Sequence, residues 1–303
     1  ATGTKTDMAN AKQWPTVSLI IPTRDQLHHL KPCVEGLLNN TDYPNLELIV
    51  VDNDSHEPVT LAYLKDIKKQ GASVNVVVLR YPKAFNYAAI NNWAVEQANG
   101  EVIGLINNDI TVIEPNWLKT MVTQLCRPNV GAVGAKLLWP NGMVQHGGVV
   151  VGTLGLAAHT GNNLYKDDPG YLNFNQVTRE QSAVTAACLL VRKADYQALN
   201  GLDADKFPVT FNDVDFCLRL RQTGKTIVWS ADAVLTHAES ASRGKEDRPD
   251  KKERARREQA HFIKTWHAHM TADRYYHPAL ANDFLNGPYG ALACPPGPLN
   301  PRL

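Results

Sequence analysis

The sequence predicts an α/β protein whose first half is doubly wound and Rossmann-like, with a mostly parallel sheet. Four apolar, β-branched runs begin about 28 residues apart, which is the length of a strand, a crossover helix and two loops. Polar and apolar residues do not alternate within these runs, so both faces of the strands should be buried under helices. The four runs are Val17–Ile21, Leu46–Val51, Val74–Leu79 and Val102–Ile106.

The segments between these runs have the periodicity of helices. A helix predicted over residues 84–98 should stop at Asn99-Gly100 and carry Phe85, Ala89 and Trp93 on one face. Apolar residues three or four apart predict two earlier helices, at Leu30, Val34, Leu37 and Leu38 and at Leu61, Leu64 and Ile67.

The second half of the chain predicts strands of mixed direction. Glycine and proline become dense after Asp109, and residues 153–171 have the composition of a loop. Two periodic segments that close on Gly201 and Gly224 predict helices. The expected strands are Gly131–Leu138, Gly147–Val151, Ala183–Val191, Ile227–Trp229 and Ala233–Thr236, and the expected helices are Lys193–Asn200 and Val214–Thr223.

A C-terminal helix and tail complete the predicted organisation. Mixed charges dominate from Lys245 to Arg257, and Phe262 and Trp266 follow four apart on what should be the same helix. The proline-rich tail from His277 is expected to be extended and clasped onto the surface. The expected divisions are a main domain over 15–245, its halves 15–110 and 111–245, and the C-terminal helix and tail over 246–303.

Composition and charge restrict the class of partner. The 303 residues carry 31 Lys and Arg against 30 Asp and Glu, so no overall field attracts nucleic acid, and no nucleic-acid partner is expected. The apolar stretch at 183–191 is too short to cross a bilayer, and the N-terminus shows no secretory signal. Five widely spaced cysteines predict neither a disulfide framework nor a zinc knuckle. We therefore expect a cytoplasmic protein without an integral membrane segment.

Polar clusters follow all four strands of the first half, at the edge where open parallel sheets bind ligands. Each cluster alone is typical of a turn, but four convergent clusters predict a binding site. No glycine-rich phosphate loop follows the first strand, which argues against a dinucleotide oxidoreductase and a P-loop enzyme. A divalent metal is then the expected neutraliser of phosphate charge. The clusters are Pro22-Thr23-Arg24-Asp25, Asp52-Asn53-Asp54-Ser55, Arg80-Tyr81-Pro82 and Asn107-Asn108-Asp109.

Seven short motifs follow one another along the chain: Ile21-Pro22-Thr23-Arg24-Asp25, Val51-Asp52-Asn53-Asp54-Ser55, Phe85-Asn86-Tyr87-Ala88-Ala89-Ile90-Asn91, Leu105-Ile106-Asn107-Asn108-Asp109, Val184-Thr185-Ala186-Ala187-Cys188, Asn212-Asp213-Val214-Asp215 and His237-Ala238-Glu239-Ser240-Ala241-Ser242-Arg243-Gly244. Their order resembles the glycosyltransferase family 2 enzymes of the GT-A fold, from about Val17 to Trp266. Within that family the sequence is most similar to bacterial, rhamnosyltransferase-like enzymes that build O-antigen and other surface polysaccharides.

The resemblance implies roles for individual residues. Asp109 and His237 would hold Mn²⁺ or Mg²⁺ against a diphosphate. At the first position of the family's Asp-x-Asp motif this chain has the uncharged Asn107. A loop histidine is the alternative interpretation of His237. Asp213 would be the general base, with Asn212 where the family more often has Glu. The nucleotide site would be formed by Pro22, Thr23, Arg24, Asp25, Asp54, Asn86, Asn107, Asn108 and Arg243.

Two further segments are less specific. Ser240 and Arg243 would belong to a lid over the pyrophosphate, although a solvated arginine is the alternative for Arg243. The motif Gln145-His146-Gly147-Gly148 also resembles the subgroup, and its glycines indicate a close approach of two backbones. A structural hydrogen bond is the expected role of His146.

The resemblance implies an inverting, metal-dependent glycosyltransferase that moves a sugar from a UDP-, dTDP- or GDP-linked donor to a glycan or a lipid-linked glycan. Two alternatives are a sugar nucleotidyltransferase and a non-catalytic glycan-binding module. A nucleotidyltransferase would be expected to have a glycine-rich loop after the first strand, which this sequence lacks. Any membrane contact would be peripheral, at the inner face of the cytoplasmic membrane. It would use Lys251, Lys252, Arg254, Arg256 and Arg257, although Asp250, Glu253 and Glu258 favour a solvated, self-paired face.

Overall fold

The computed structural model of the chain describes residues 14–70, 74–162, 164–238, 249–282, 287–294 and 296. Each of the four strands predicted in the first half is present within two residues of its expected bounds. The strands are β1 (Val17–Thr23), β2 (Leu46–Asp52), β3 (Asn75–Arg80), β4 (Val102–Ile106), β5 (Ile110–Val112), β6 (Val130–Leu138), β7 (Val144–His146), β8 (Val149–Val151), β9 (Ala157–His159), β10 (Arg179–Gln181), β11 (Cys188–Arg192) and β12 (Thr226–His237). The helices are α1 (Leu27–Asn39), α2 (Pro58–Gln70), α3 (Tyr87–Gln97), α4 (Trp117–Leu125), α5 (Lys193–Ala198), α6 (Asn212–Gln222) and α7 (Pro249–Thr271).

Ten of the described strands form one sheet, in the order β10-β12-β6-β11-β4-β1-β2-β3, with β5 paired to β12 and β7 to β6. Strands β1 to β4 are parallel to one another, and β12 is parallel to β6. Strand β11 runs antiparallel between β4 and β6 and so joins the two halves of the chain. The predicted combination of a parallel first half and a mixed second half is confirmed.

Helices cover both faces of this sheet. Along β1, Leu19 and Ile21 pack into the core beneath α1 and α4, whereas Ile20 packs into the core beneath α3, α6 and α7. Successive side chains of a strand point to opposite faces, so a strand covered on both sides must be apolar at every position. This explains why the runs of the first half show no alternation.

The predicted apolar face of α3 is wrong. Phe85 precedes the helix and is 44% exposed, because α3 begins at Tyr87 after Asn86, whose Oδ1 accepts a hydrogen bond from the Ala89 amide at 2.9 Å. The side chains that face the sheet are those of Ile90 and Ala94, together with Ala88, Asn91 and Val95. Apolar residues occur around most of this helix, so the sequence did not fix which side faces the core.

The second half differs from prediction in several places. The strand expected at Ala183–Val191 begins only at Cys188, and β5, β7, β10 and α4 are not among the predicted elements. The two strands expected at 227–236 are one continuous strand, β12, whose pairing with β6 shifts register between Ser230 and Val234. Asp232 is exposed within that shift, and the interruption in apolar character reflects an irregularity rather than the end of a strand. The segment expected to be loop contains β9, which pairs with β8 in a separate two-stranded sheet.

The described part of the tail folds back on itself, as expected of a clasped segment. Leu280 and Leu292 form an antiparallel bridge, and Tyr276 and Leu280 pack against Val150 of β8. Among the described helices, none combines the length and the apolarity needed to cross a bilayer.

Candidate active site

Two cavities open beside each other at the carboxyl edge of the sheet. The first, which we call the edge cavity, has a volume of about 410 Å³ and lies outside the ends of β1 and β2. The second, the central cavity, has a volume of about 250 Å³ and contains the end of β12 and the start of α6. Both are lined by Tyr87, Asn107 and Val209, so they adjoin. The predicted site residues that line the edge cavity are Pro22, Thr23, Arg24, Asp25, Asn107 and Asn108.

Strand pairing brings the polar ends of β1 and β2 together in the edge cavity. Thr23 is paired with Asp52 in the register of these strands, and its carbonyl accepts the Asn53 amide at 2.8 Å. The Thr23 hydroxyl accepts a hydrogen bond from Asn108 Nδ2 at 3.1 Å. Asp25 Oδ1 accepts the amides of His56 and Glu57, so this carboxylate holds two loops together at the rim.

Asn53 is a cavity residue that the sequence analysis did not select. Its Nδ2 donates to the carbonyls of Tyr81 at 2.9 Å and Lys83 at 2.8 Å, which fixes the orientation of the amide. Its Oδ1 is buried and has no hydrogen-bond partner among the described residues. A buried acceptor without a donor is costly unless a ligand supplies one. The signal was present, since Asn53 belongs to one of the four polar clusters.

The structure does not bring Asp54 or Asn86 to the lining of either cavity. Asp54 has a left-handed backbone with φ of 61°, and its side chain turns toward Arg80 Nη2 at 2.8 Å. The hydrogen bond from Arg80 and the nearby cations lower the pKa of Asp54 despite the opposing effect of desolvation. Asn86 caps α3, and its Nδ2 donates to the Ala204 carbonyl at 3.0 Å. Both residues have structural partners that account for their polarity.

Asp109 and His237 meet in the central cavity because β5 pairs with β12. The register places His237 opposite Ile110, so Asp109, the residue before Ile110, lies beside the histidine. His237 Nε2 is 3.2 Å from Asp109 Oδ1 and 3.2 Å from Asn107 Nδ2. The predicted convergence of these three residues is therefore present in the structure.

Gln145 of β7 orients the imidazole of His237. Its Oε1 is 2.7 Å from His237 Nδ1, and its Nε2 donates to the His237 carbonyl at 3.3 Å. A proton on Nδ1 leaves the Nε2 lone pair directed at the carboxylate. The neighbouring His146 is fully buried. Its Nε2 accepts the Thr185 amide at 3.4 Å, and its carbonyl accepts the indole N–H of Trp229 at 3.3 Å.

This pair of side chains is suited to a divalent cation. Asp109 Oδ1 is buried, and no described residue gives it a hydrogen bond of good geometry. When the imidazole is neutral with its proton on Nδ1, Nε2 and Asp109 Oδ1 are acceptor atoms that face each other, and a cation would satisfy both. Burial raises the pKa of Asp109, but when Nε2 of His237 also carries a proton, its hydrogen bond and charge outweigh burial and lower this pKa below its ordinary value. Among the described residues, no group of three His, Cys, Asp or Glu side chains is arranged to hold a metal ion.

Asp213 also lines the central cavity. Its Oδ2 accepts the Ala186 amide at 3.0 Å, and its Oδ1 accepts the Val214 amide at 2.8 Å. The preceding Phe211 has φ of 60°, a left-handed conformation that is strained for an aromatic residue. Its ring stacks on Phe262 of α7 with 4.7 Å between centroids, so a long-range contact holds this turn.

Asp215 faces away from the cavity. Its Oδ2 lies 2.7 Å from Arg219 Nε, and its Oδ1 accepts the indole N–H of Trp266 at 3.0 Å. Burial raises the pKa of Asp215, and Arg219 offsets that effect in part.

The basic cluster predicted on α7 is divided in the structure. Lys251 and Arg254 line the edge cavity, whereas Lys252, Arg256 and Arg257 are exposed. Glu258, predicted to lie on a solvated face, is 1% exposed and accepts hydrogen bonds from Thr210, which corrects that expectation. Ser240 and Arg243, the predicted lid residues, lie outside the described residues.

Comparison with known proteins identifies relatives. The Glycosyl transferase family 2 model matches residues 18–197. The chain is 47% identical over 275 residues to the Uncharacterized protein y4gI of Sinorhizobium fredii, covering 89% of this chain and 30% of that protein. It is 43% identical over 231 residues to the O-antigen biosynthesis protein RfbC of Myxococcus xanthus, covering 76% of this chain and 18% of that protein. The chain thus spans less than a third of the length of the curated relatives it matches.

Solved structures share the fold at low sequence identity. A mannosyltransferase from Pyrobaculum calidifontis in complex with GDP-Man and Mn²⁺ matches with a TM-score of 0.62 and 17% identity, over 86% of this chain and 71% of that one. GalNAc-T7 with UDP, GalNAc and Mn²⁺ matches with a TM-score of 0.63 and 11% identity, over 88% and 59% of the two chains. The family model covers more than half of the 303 residues, and these neighbours share the predicted GT-A architecture. The chain belongs to glycosyl transferase family 2.

Proposed function

We propose that this chain transfers a sugar from a nucleoside-diphosphate sugar to a hydroxyl group of a glycan, with inversion at the anomeric carbon. The observation that carries the proposal is the adjacency of the two cavities, with Asn107 shared between them and Asp109 and His237 beside it. The nucleotide would occupy the edge cavity, and the sugar would extend into the central cavity. The solved GT-A relatives that contain GDP-Man or UDP together with Mn²⁺ support this assignment.

Asp109 and His237 would hold Mn²⁺ or Mg²⁺ in this proposal. When bound, the cation would neutralise negative charge on the diphosphate leaving group. The two protein ligands leave most of the coordination sphere to the diphosphate and water, which is a common arrangement for Mg²⁺ and Mn²⁺ at nucleotide sites. Gln145 would keep the imidazole in the tautomer that binds a cation.

Asp213 would act as the general base that accepts a proton from the incoming hydroxyl. The hydrogen bonds from Ala186 and Val214 fix its carboxylate at the cavity wall, so it is positioned before any substrate binds. A positioned base contributes roughly 10²- to 10⁴-fold to the rate. The direct displacement that inversion requires needs no covalent intermediate.

Synthesis of O-antigen or a related surface polysaccharide is the proposed process, and the similarity to RfbC supports it. The acceptor would then be a glycan or a lipid-linked glycan, reached at the inner face of the cytoplasmic membrane. The exposed residues Lys252, Arg256 and Arg257 of α7 would supply basic contacts to such a surface. Sedimentation with anionic vesicles at low and high salt tests that contact, and salt-independent recovery in the supernatant would argue against it.

A binding measurement tests the core of the proposal. Calorimetric titration of UDP, dTDP and GDP should show at least one ligand that binds with Mn²⁺ and loses about tenfold or more in affinity with chelator, because the cation held by Asp109 and His237 would neutralise charge on the diphosphate. Asp109→Asn should reproduce the loss in the presence of Mn²⁺. Equal affinity with and without the metal would contradict the metal assignment, and failure of all three nucleotides to bind would contradict the donor class.

A further inference from the structure

We infer that a second, larger groove next to the central cavity binds an oligosaccharide, so that the acceptor is recognised over several sugar units. The groove has a volume of about 670 Å³, against about 250 Å³ for the central cavity. Both are lined by Gln145, Ala157 and His159, so they are continuous. This inference rests on the proposed function, because the groove would extend the acceptor side of the same site.

The position of the groove fits the acceptor rather than the donor. The edge cavity adjoins the central cavity at Tyr87, Asn107 and Val209, whereas the groove adjoins it at a different set of residues on β7 and β9. A molecule that extends from the central cavity away from the nucleotide therefore enters the groove. Its volume, more than twice that of the space for the transferred sugar, indicates an acceptor of at least two units.

Aromatic rings form one wall of the groove. Tyr171 stacks on Tyr289 of the tail with 5.3 Å between ring centroids and 9° between planes. Phe174 meets both rings edge-on, with 5.7 Å and 5.6 Å between centroids. Tyr171 nevertheless stays 40% exposed, and Trp139 also lines the groove. Sugar rings present C–H groups on their faces, and such faces pack well against aromatic surfaces, much as other apolar groups do.

Polar groups are interspersed among these rings. Asn175 is 4% exposed, and its Nδ2 donates to the carbonyls of Tyr165, Lys166 and Asp168. Its Oδ1 is buried without a hydrogen-bond partner among the described residues. This oxygen lies near Gly161, another groove residue, so the groove wall contains an unsatisfied acceptor.

The charge of the groove argues against an anionic polymer or a nucleotide. Among its lining residues, Arg179 is the one with a permanent charge. Its guanidinium donates to the carbonyls of Gly147 and Phe174 and lies 4.6 Å above the Trp229 ring. The Arg179 guanidinium therefore makes its hydrogen bonds within the protein rather than to a ligand in the groove. A lipid chain would meet a wall interrupted by amides and hydroxyls, whereas a neutral glycan matches both kinds of surface.

A printed array of bacterial surface glycans with one to six sugar units, probed with the full chain in the presence of UDP and Mn²⁺, tests the inference. The wild-type protein should retain at least one glycan of two or more units, and Tyr171→Ala should weaken that binding at least tenfold. Tyr171→Phe should bind within about twofold of wild type, because the ring rather than the hydroxyl makes the proposed contact. Leu172→Ala is the matched control, since its side chain is 71% exposed in the same turn and does not line the groove.

Two readouts separate the groove from the proposed function. Calorimetry with UDP, dTDP and GDP on the same variants should show unchanged nucleotide affinity, and thermal unfolding should show folded protein. Retention of no array glycan by the wild type, or equal retention by Tyr171→Ala, would overturn the inference while leaving nucleotide binding intact. Absence of binding of all three nucleotides to the wild type would instead contradict the proposed function.

Discussion

Asp213 and Asp215 lie in the same first turn of α6, but their carboxylates have different surroundings. Asp213 reaches the central cavity, and Asp215 is 3% exposed and paired with Arg219 and Trp266. Residues two apart on a helix do not share a face, so one turn supplies both a cavity carboxylate and a buried ion pair. Spacing alone therefore predicted that the two residues would have different roles.

Asp213→Asn should abolish sugar transfer while nucleotide affinity stays within a few-fold of wild type. The amide cannot accept a proton, although it keeps the volume of the side chain, so the expected loss of turnover is on the order of 10²-fold or more. Steady-state transfer rates and calorimetry on the same preparation check both halves of the prediction. An Asp213→Asn enzyme with full turnover would remove Asp213 from the base position.

Asp215→Asn is the matched comparison. It should lower the free energy of unfolding by about 1–3 kcal/mol, because it removes the charge of the buried Asp215 from its pairing with the partly buried Arg219 guanidinium. Urea unfolding measures this loss. If Asp215→Asn instead folded with wild-type stability and failed to transfer sugar, the roles of the two carboxylates would be reversed.

Asn53 and Asp54 form a second pair of neighbours with separate roles. Asn53→Ala should weaken nucleotide binding about tenfold, which is about 1.4 kcal/mol, because it removes the buried acceptor at the edge cavity. Asp54→Asn should leave nucleotide affinity within about twofold, since its partner is Arg80 at the surface. Calorimetry with the preferred nucleotide decides between them. A tenfold loss in Asp54→Asn with no change in Asn53→Ala would favour the assignment implied by family resemblance over the geometry.

Lys136 of β6 provides a pH-dependent prediction. It is 2% exposed and donates to the carbonyls of Lys166 and Asn175, and burial lowers its pKa from 10.5 to about 8. Between these values the unfolded chain keeps the proton and the folded chain releases it, so the contribution of Lys136 to stability should rise with pH over that interval. Urea unfolding at both ends of the interval should show a more favourable change with pH in wild type than in Lys136→Met. The buried cysteines and tyrosines, whose pKa values burial raises, act in the opposite direction but are common to both proteins. An equal pH dependence in both proteins would show that Lys136 keeps its proton when folded.

At the scale of elements, α7 holds the turn that carries Asp213. Glu258, Phe262 and Trp266 are spaced four apart on one face of this helix, and all three are buried. They contact Thr210, Phe211 and Asp215 respectively. One helix face therefore fixes the residues on both sides of the proposed base.

Trp266→Phe should destabilise the protein by about 1–3 kcal/mol, because it deletes the donor to the buried Asp215 carboxylate while keeping an aromatic ring in the core. Tyr275→Phe is the control, since it deletes an exposed hydrogen bond to Glu180 and should change stability by less than about 0.5 kcal/mol. Urea unfolding measures both variants. Equal stability of Trp266→Phe and wild type would show that Arg219 alone satisfies Asp215.

The elements that could be predicted from sequence are those whose pattern is local. The strands of the first half were found because burial on both faces demands continuous apolar runs. Glu258 was assigned to a solvated face because its partner, Thr210, lies 48 residues away and leaves no trace in the helix. The same holds for the choice between Asn53 and Asp54, which depends on the backbone conformation at one residue. Topology alone predicts that the polar clusters meet at one edge of the sheet. It does not predict which side chain of each cluster points into the cavity.

At the scale of the whole molecule, the expected divisions of the chain do not correspond to separate layers. Strand β11, from the second half, pairs with β4 of the first half along five residues. Phe262 and Trp266, from the predicted C-terminal segment, belong to the same core as Ile20 of β1. Both halves and α7 therefore contribute to the hydrophobic core on this face of the sheet, whereas Tyr276 and Leu280, in the described part of the tail, pack against Val150.

This shared core predicts how the chain responds to truncation. A chain that ends at residue 245 loses α7, and with it the burial of Phe262 and Trp266, each worth about 3–5 kcal/mol. Because domains of this kind have a total stability of roughly 5–15 kcal/mol, the truncated chain should lack a cooperative thermal transition or melt far below the full chain. A chain that ends at residue 282 is the matched control, because it retains α7 together with Asp273, whose carboxylate accepts from Ser182 and Val151. It should melt close to the full chain, since the described residues that it removes supply part of the groove wall, including Tyr289, and belong to neither of the two large cores. A cooperative transition near the wild-type temperature in the chain that ends at residue 245 would show that residues 15–245 fold as an independent domain.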